Sequence, residues 1–594
     1  MANTTPKRSG RRIALWTGAG VVVLILAAGA WIGFRGLEAK DQLTKAEPLA
    51  SQIESDISAG HSAQAVTASA QLSRYAGKAD SLTSDPVWRV AEFVPFVGPN
   101  LTAVRIAAEA TDTVATKAIA PVTSAASGLN VTSFKPVGGV VNLKPLEKVQ
   151  PALAQANAGL ESAAAQLRKA PTGGMLAPVS GALTKLRSTV HNAQNVIGSV
   201  NRAAQLVPTM LGASGPRNYL LLFVNPAELR STGGITGSLA LVHTDNGAIS
   251  LAAQVSGDDL GNFDSPVAPL PQVVQSLFAS RPAEYIQDVN LTPDYPLSAS
   301  LAAKMWTARY GTPVDGVITI DPVVLSYILQ ATGPIPLADG LSLTSSNAVQ
   351  LLLSQAYQIF PDNTDQDAFF SATAAAVFER VSSGDVDPYQ LIRALVQGGS
   401  ERRINVWSAH AADQKILAGT TLQGDLPVST AKRAALGLYF NDATGAKLDY
   451  YLHVAASTST RVCGSAGDPD SYVTVKLTNE TPADAATSLP TYVTNVGRSG
   501  VPAGTIITQV GAYGPGGGLL VSTTSAGKAV ATHPEVYGGR PVSQFMVTLA
   551  PGQSQTVTIR FRDEGSTATA TSLAMTPGLN SQIVAGVAPK CAAE

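Results

Sequence analysis

Apolar and polar positions change texture four times along the chain. Residues 13–34 form a run of 22 positions without a charge, preceded by Lys7, Arg8, Arg11 and Arg12. From 36 to 85 apolar positions recur at mixed helical steps, with Leu37, Leu43, Leu49, Ile53 and Ile57 four or six apart, and an Ala-rich helical pattern resumes from 100. That spacing predicts helices over 36–85, 100–128, 146–170 and 178–206, with 128–145 as a linker. Pro86 and the Val94-Pro95-Phe96-Val97-Gly98-Pro99 stretch interrupt it. No strict heptad persists, so the pattern predicts a bundle or stalk rather than one long coiled coil.

Past Pro216 the period shortens. Strands are predicted at 219–224, 235–243 and 248–255, the last two joined by Asp245-Asn246-Gly247, a strong hairpin turn. Helices are predicted near 269–280 and 297–310. A strand over 314–320 then meets Asp321-Pro322, a good helix cap followed by a good first helical residue. Further helices at 345–359, 364–382 and 387–397 and a short strand at 404–407 complete an α/β pattern. From about 436 to 561 alternation and β-branched residues take over, with predicted strands at 450–454, 472–477, 504–510, 544–549 and 555–561.

The expected fold class is multidomain α+β. It comprises a basic tail at 1–12, a transmembrane anchor at 13–34, an extracytoplasmic helical stalk at 36–210, a central α/β sheet domain at 215–435 and a C-terminal β-sandwich at 436–594. The anchor rests on length, since 22 residues at 1.5 Å each span a hydrocarbon core of roughly 30 Å. Trp16 and Trp31 near its ends suit the interfaces. The basic flank places the tail in the cytoplasm and the bulk outside. Ala28-Gly29-Ala30 offers the alternative of a cleaved signal peptide.

Composition narrows the functional classes. The net charge is −1 and only 14% of residues are charged, which argues against a nucleic-acid surface. Cys463 and Cys591 would both lie in an oxidising compartment and are expected to form one disulfide. Six scattered histidines include no ligand pair. No phosphate-binding loop, dinucleotide fingerprint, nucleophile elbow or kinase signature occurs.

Candidate chemistry concentrates after the strand at 219–224. Asn225, Glu228, Arg230 and the pair Gly233-Gly234 follow it directly. Polar residues just past a buried strand often form a site, and paired glycines let the backbone approach a ligand or another strand. Asp258, Asp288, Asn290 and Asp294 lie downstream near predicted strand ends and a helix start. Converging carboxylates there would hold a divalent cation, Mg²⁺ for instance, and Arg230 would bind a phosphate in bidentate fashion. The plainer reading is that Asp294 caps, Asp258 opens a turn, and Glu228 pairs with Arg230. Lys447 and Asp449, at a charged strand entry, fit packing between the two outer domains.

The run Asn225-Pro226-Ala227-Glu228-Leu229-Arg230-Ser231-Thr232-Gly233-Gly234 resembles the hallmark segment of the bacterial family catalogued as domain of unknown function 4012. Asp294-Tyr295-Pro296, the 314–318 strand with Asp321-Pro322, Thr332-Gly333-Pro334, the 441–451 segment and the 93–98 segment are similar to it in the same order. The family has no established activity. A more distant similarity, in the order of strands and the acid-x-Arg loop, is to the LytR-CpsA-Psr proteins. These single-pass, outward-facing enzymes use Mg²⁺ and transfer glycopolymers from a polyprenyl pyrophosphate carrier to the cell wall. That resemblance implies Glu228 and Arg230 at the phosphate and 316–328 as the following strand and helix. The Arg-rich strand of those enzymes is absent, because 249–259 contains no Arg. Only Arg230, with Arg217 or Arg281, remains to neutralise a pyrophosphate.

Two functions are expected of a membrane-anchored envelope protein with this make-up. One is phosphoglycan transfer from a polyprenyl-linked glycan to a cell-wall polymer, with Glu228, Arg230, Asp258, Asp288 and Asp294 catalytic and Asn225, Gly233, Gly234 and Asn290 binding. The other is a non-catalytic scaffold that binds envelope proteins or polysaccharide, or a subunit of an export system, with the 225–234 loop bracing a domain.

Overall fold

A computed structural model describes residues 9–58, 61–126, 135–337, 340–462, 468–494 and 500–587, with side chains omitted at 9–22, 25, 58 and 126. The protein is multidomain α+β, with helices and several mixed sheets. It divides into two compact units. The first comprises 1–134 and 142–209, and the second 135–141 and 210–594.

The first unit is helical. α1 (Ser9–Ser58) and α2 (Ser62–Thr83) form an antiparallel pair. Glu38 meets Lys78 at one end, while Leu49 and Ile53 pack on Ala68 and Leu72 further along. α3 (Pro86–Ala91) is one short turn capped by Asp85. α4 (Gly98–Thr113) passes through a π-helical stretch, Val114–Ile119, into α5 (Ala120–Ala126). α6 (Lys144–Arg168) and α7 (Ala177–Met210) close the bundle. Alanine dominates the contact surfaces, with Ala103, Ala110, Ala156 and Ala163 all buried. Small side chains let helix backbones approach closely. A β-carbon at Gly159 would come within 2.8 Å of the Lys117 backbone, so glycine seats α6 on the π-helical stretch. The expected anchor at 13–34 lies within α1, and side chains are not described at 13–22 and 25. Among the described residues no helix is long and apolar enough to cross a membrane, so the structure gives that expectation no support.

The second unit holds two sheet regions. The first is a mixed sheet of β1 (Arg217–Asn225), β2 (Ile235–Asp245), β3 (Ala248–Ser256), β4 (Gly316–Ile320) and β7 (Asn405–Ser408), in the order β3-β2-β1-β4-β7. Only β1 and β4 run parallel. The β2–β3 turn places Asn246 at φ 47° and Gly247 at φ 86°, the backbone that a two-residue hairpin requires. Helices Gln272–Phe278 and Tyr295–Tyr310 pack on this sheet through Leu277, Phe278, Met305 and Trp306. Asp321 caps the helix Pro322–Thr332 by accepting from the Val324 amide at 2.9 Å. β5 (Ile335–Pro336) and β6 (Ser342–Leu343) form a small hairpin beside it.

The second region consists of two further sheets. One has β8 (Arg433–Asp442), β11 (Ile506–Tyr513), β14 (His533–Tyr537), β15 (Arg540–Leu549) and β17 (Ala570–Met575) in the order β14-β15-β11-β8-β17. The other has β9 (Leu452–Val462), β10 (Pro469–Asn479), β12 (Leu519–Ser525), β13 (Lys528–Ala529), β16 (Ser554–Arg562) and β18 (Asn580–Ile583) in the order β13-β12-β16-β10-β9-β18. Leu438, Phe440, Val510 and Phe545 from the first meet Val454, Val473, Val475 and Ile559 from the second in one core. Two residues from the α/β region, Leu229 and Tyr357, belong to that same core. Cys463 and Cys591 lie outside the described residues.

Candidate functional site

Residues 225–234 connect β1 to β2, and their shape is set locally. The Asn225 side-chain oxygen accepts from the Ala227 amide at 2.9 Å, while its side-chain nitrogen donates to the Tyr357 hydroxyl at 2.7 Å. The Ile235 amide donates to the Glu228 carbonyl at 2.8 Å, closing the loop. A β-carbon at Gly234 would collide with the Asn225 carbonyl. The paired glycines therefore serve the approach of the chain to the end of its own strand.

What the loop meets is the turn between β8 and β9. Backbone bonds run both ways. The Leu229 amide donates to Asp449 Oδ2 at 2.7 Å, the Asp442 amide to the Leu229 carbonyl at 2.8 Å, and the Asp449 amide to the Ala227 carbonyl at 3.0 Å. The Ser231 amide donates to Asn441 Oδ1 at 2.9 Å, and its hydroxyl to the Leu291 carbonyl at 2.6 Å. Thr576 donates to the Ser231 carbonyl at 2.9 Å. Leu229, 2% exposed, is buried in the two-sheet core.

The charges fall in two groups, a buried Arg230–Asp288 pair that Arg281 joins from the surface and a buried Glu228–Lys447 pair. Arg230 donates from Nε and Nη2 to Asp288 Oδ1 at 3.2 and 2.9 Å, and from Nη1 to the Leu229 and Asp442 carbonyls. Its side chain is 8% exposed and that of Asp288 is 4% exposed. The other Asp288 oxygen is taken by Arg281 at 2.6 Å. Glu228 pairs with Lys447, not with Arg230. The Lys447 ammonium lies 5.0 Å from the centre of the Tyr357 ring and 4.7 Å from that of Tyr492. Burial alone would lower the Lys447 ammonium, but Glu228 and the two phenols outweigh it and raise it. Burial also pushes Tyr357 up to about 12. Burial raises Asp442 against the pull of Arg230. It raises Asp449 well above the carboxylate range, helped by the Asp442 charge and opposed by the Leu229 amide.

The remaining candidates serve elsewhere. Asp258 accepts from Gln287 at 3.1 Å in an exposed turn that Ser256 caps. Asp294 caps the helix Tyr295–Tyr310 through the Leu297 amide at 3.1 Å, and its other oxygen accepts from Tyr537 at 3.1 Å. Asn290 donates to the Gly234 carbonyl at 2.8 Å and to Thr232 at 3.2 Å. The structure thus brings together Arg230 with Asp288 and Asn290 with Gly234, and sets Glu228, Asp258 and Asp294 apart with other partners. Among the described residues no group of three His, Cys, Asp or Glu side chains is placed to hold a metal ion. A crevice beside Lys447, bordered by Leu353, Gln358, Tyr450, Tyr451 and Val493, has a volume of about 10 Å³, the space of one water.

Sequence reasoning did not find Asn441, Asp442 or Tyr357 as partners of the loop. The available signal was the density of polar residues in 441–449 inside an otherwise apolar stretch. Packing between domains, expected for Lys447 and Asp449, is what both side chains do.

No curated protein matches the chain. A solved structure described as the transcriptional regulator yvhJ from Bacillus subtilis is similar at 13% identity, covering 36% of this chain and 82% of that one, with a TM-score of 0.21. A likeness that weak carries no argument about fold or function. The similarity to LytR-CpsA-Psr proteins finds no support in these comparisons. Residues 214–357, which contain the loop, match the model of a family described as protein of unknown function (DUF4012).

Proposed function

We propose that the protein is a non-catalytic, membrane-anchored scaffold of the cell envelope, and that its 225–234 loop is a clasp between the α/β region and the two-sheet region. The observation that carries the reading is the state of Arg230. Its guanidinium is buried and bonded to Asp288 and two backbone carbonyls. A phosphate would have to displace all of these and leave Asp288 with Arg281 alone. Catalytic groups aimed at a substrate need donors pointing to where charge develops. Here the donors point into the protein. Lys447 and Glu228 likewise satisfy each other beneath two tyrosines.

The charge-free run at 13–34 and its basic flank support placement outside the cytoplasm. A C-terminal tag labelled by a non-permeant reagent on intact cells supports this placement; labelling only after lysis refutes it.

Phosphoglycan transfer with Mg²⁺ is the competing proposal, and one measurement separates the two. The full chain is extracted in detergent and weighed by native mass spectrometry, alongside Arg230→Ala. The scaffold reading expects the bare protein mass in both. A copurified polyprenyl phosphate that disappears in Arg230→Ala would overturn it in favour of the transferase.

A further inference from the structure

Within the helical unit, the described residues leave an apolar tip exposed. Between α3 and α4 the backbone turns sharply, and Val87, Val90, Phe93, Val94, Phe96 and Val97 are all exposed. Phe93 is 89% exposed and Phe96 92%. Large aromatic side chains are seldom left this bare by a soluble surface. Phe96 also holds φ 67°, a backbone conformation that is an outlier for a bulky residue. Gly98 permits the turn, because a β-carbon there would strike the Glu92 carbonyl.

The tip is built rigidly into the bundle at one level. Trp88 is buried, donates from Nε1 to the Leu101 carbonyl at 3.1 Å, and lies 3.6 Å from where a β-carbon on Gly36 would be. Arg35 pairs with Asp85 at 3.0 Å and donates to the Leu82 carbonyl at 2.9 Å. The Leu176 amide donates to Asn100 at 2.8 Å, bringing an exposed leucine to the same end. So the tip sits beside residues 35 and 36 of α1, directly after the charge-free run ends at Phe34.

Two acids of this stretch are paired, Asp85 with Arg35 and Glu92 with Arg105 at 2.6 Å, an arginine that Glu109 shares at 3.3 Å. Arg89 is exposed among the valines. Bare aromatic and aliphatic side chains beside an exposed cation are what a lipid interface takes. Arg35 over the Trp31 ring at 5.0 Å marks the same level on α1.

We infer that the 87–97 tip dips into the outer lipid interface beside the point where α1 leaves the bilayer, as a second membrane contact that fixes the bundle against the surface. The inference rests on the reading of 13–34 as an anchor. The occupant is a lipid bilayer, because the tip's level on α1 coincides with the end of that anchor.

The test uses the full chain in phosphatidylcholine–phosphatidylglycerol vesicles, with p-benzoylphenylalanine replacing one residue at a time. The test positions are Phe93 and Phe96; the references are Trp31 in the anchor and Val428, 81% exposed in the other unit. All four positions are exposed on the surface of the chain, so folding is not at issue. Lipid adducts at 31, 93 and 96, several-fold above those at 428, are expected. Adducts at 31 without adducts at 93 and 96 overturn the inference and leave the anchor standing. Protein adducts in place of lipid at 93 and 96 overturn it in favour of a partner protein or a second copy, and equal yields at 428 overturn it as well. Failure at 31 removes the anchor and the inference with it.

Discussion

Replacing Arg230 by Ala tests whether the 225–234 loop is a clasp. The side chain makes two bonds to Asp288 and two to backbone carbonyls, in a place almost without solvent. Removing one member of a buried ion pair costs about 3–5 kcal/mol, because the other charge stays behind. Asp288 keeps Arg281, whose side chain is 61% exposed and contributes little in water. The lower end, about 3 kcal/mol, is the expected loss, equivalent to a fall of about 4 °C in melting midpoint for a unit of this size. Arg230→Lys keeps the charge but loses the planar fork, so it falls between. The assay is thermal unfolding of the full chain in detergent, followed by near-ultraviolet circular dichroism. A double-mutant cycle with Asp288→Ala should show coupling of at least about 1 kcal/mol. A melting midpoint for Arg230→Ala within about 1 °C of wild type, where a clasp predicts several degrees, refutes the reasoning.

Glu228→Gln leaves the Lys447 ammonium with only its two rings, so the expected loss is about 2–3 kcal/mol by chemical denaturation. Adding Lys447→Met should recover most of it, and a double variant no better than the single would show that the pair is not the cause. Leu229→Ala empties a position that is 2% exposed in the two-sheet core, with an expected loss of about 3 kcal/mol; a loss under about 1 kcal/mol contradicts the packing. Burial, and then the Asp294 carboxylate, push Asp425 up to about 6 against the pull of Arg402. A carboxyl raised above its unfolded value binds its proton more tightly when folded. Its stabilisation is complete below pH ~4 and is lost as pH rises through about 6. Melting midpoints across that window should fall less steeply in Asp425→Asn than in wild type; Asp563, also raised to about 6 by burial, keeps the residual slope. Parallel profiles would remove Asp425 from the linkage.

Much of the fold could be read locally. Asn246-Gly247 announces its hairpin because only residues tolerant of positive φ fit there. Asp321-Pro322 announces its helix by the same kind of local chemistry. The alanine-rich helices are legible from their spacing. Strands β12, β13, β14, β17 and β18 escaped because they are short or rich in Ser and Thr, and take their place from pairing. β17 lies parallel to β8, over 130 positions away, a partnership no window can see. The site failed for the same reason. Glu228 and Arg230 stand two apart and invite pairing, yet Glu228 finds Lys447 and Arg230 finds Asp288. The Leu229 amide finds Asp449, 220 positions along. Charged residues look alike in sequence whether they face a ligand or each other; burial decides between the two.

The clasp also bears on what the family segment is. Residues 214–357 contain β1 to β4 and the loop, but not β7, which pairs with β4, nor any residue of the 441–449 turn. Cut at those limits, the segment would expose Leu229, leave Glu228 without Lys447, and strip Arg230 of the Asp442 carbonyl. It would also bare Tyr357, which is buried in the two-sheet core. Leu229 and Tyr357 alone represent about 3–6 kcal/mol of burial, comparable with a whole domain's stability. The isolated segment should therefore fail to give a dispersed nitrogen–proton correlation spectrum, while 210–594 should give one. A dispersed spectrum from 214–357 would mean the loop holds its own shape, and its polar residues would then need a partner other than the sheets that follow. On the clasp reading the hallmark residues are a complement to the C-terminal half of the same chain, which is why polar groups that look poised for chemistry are spent on holding two sheet regions together.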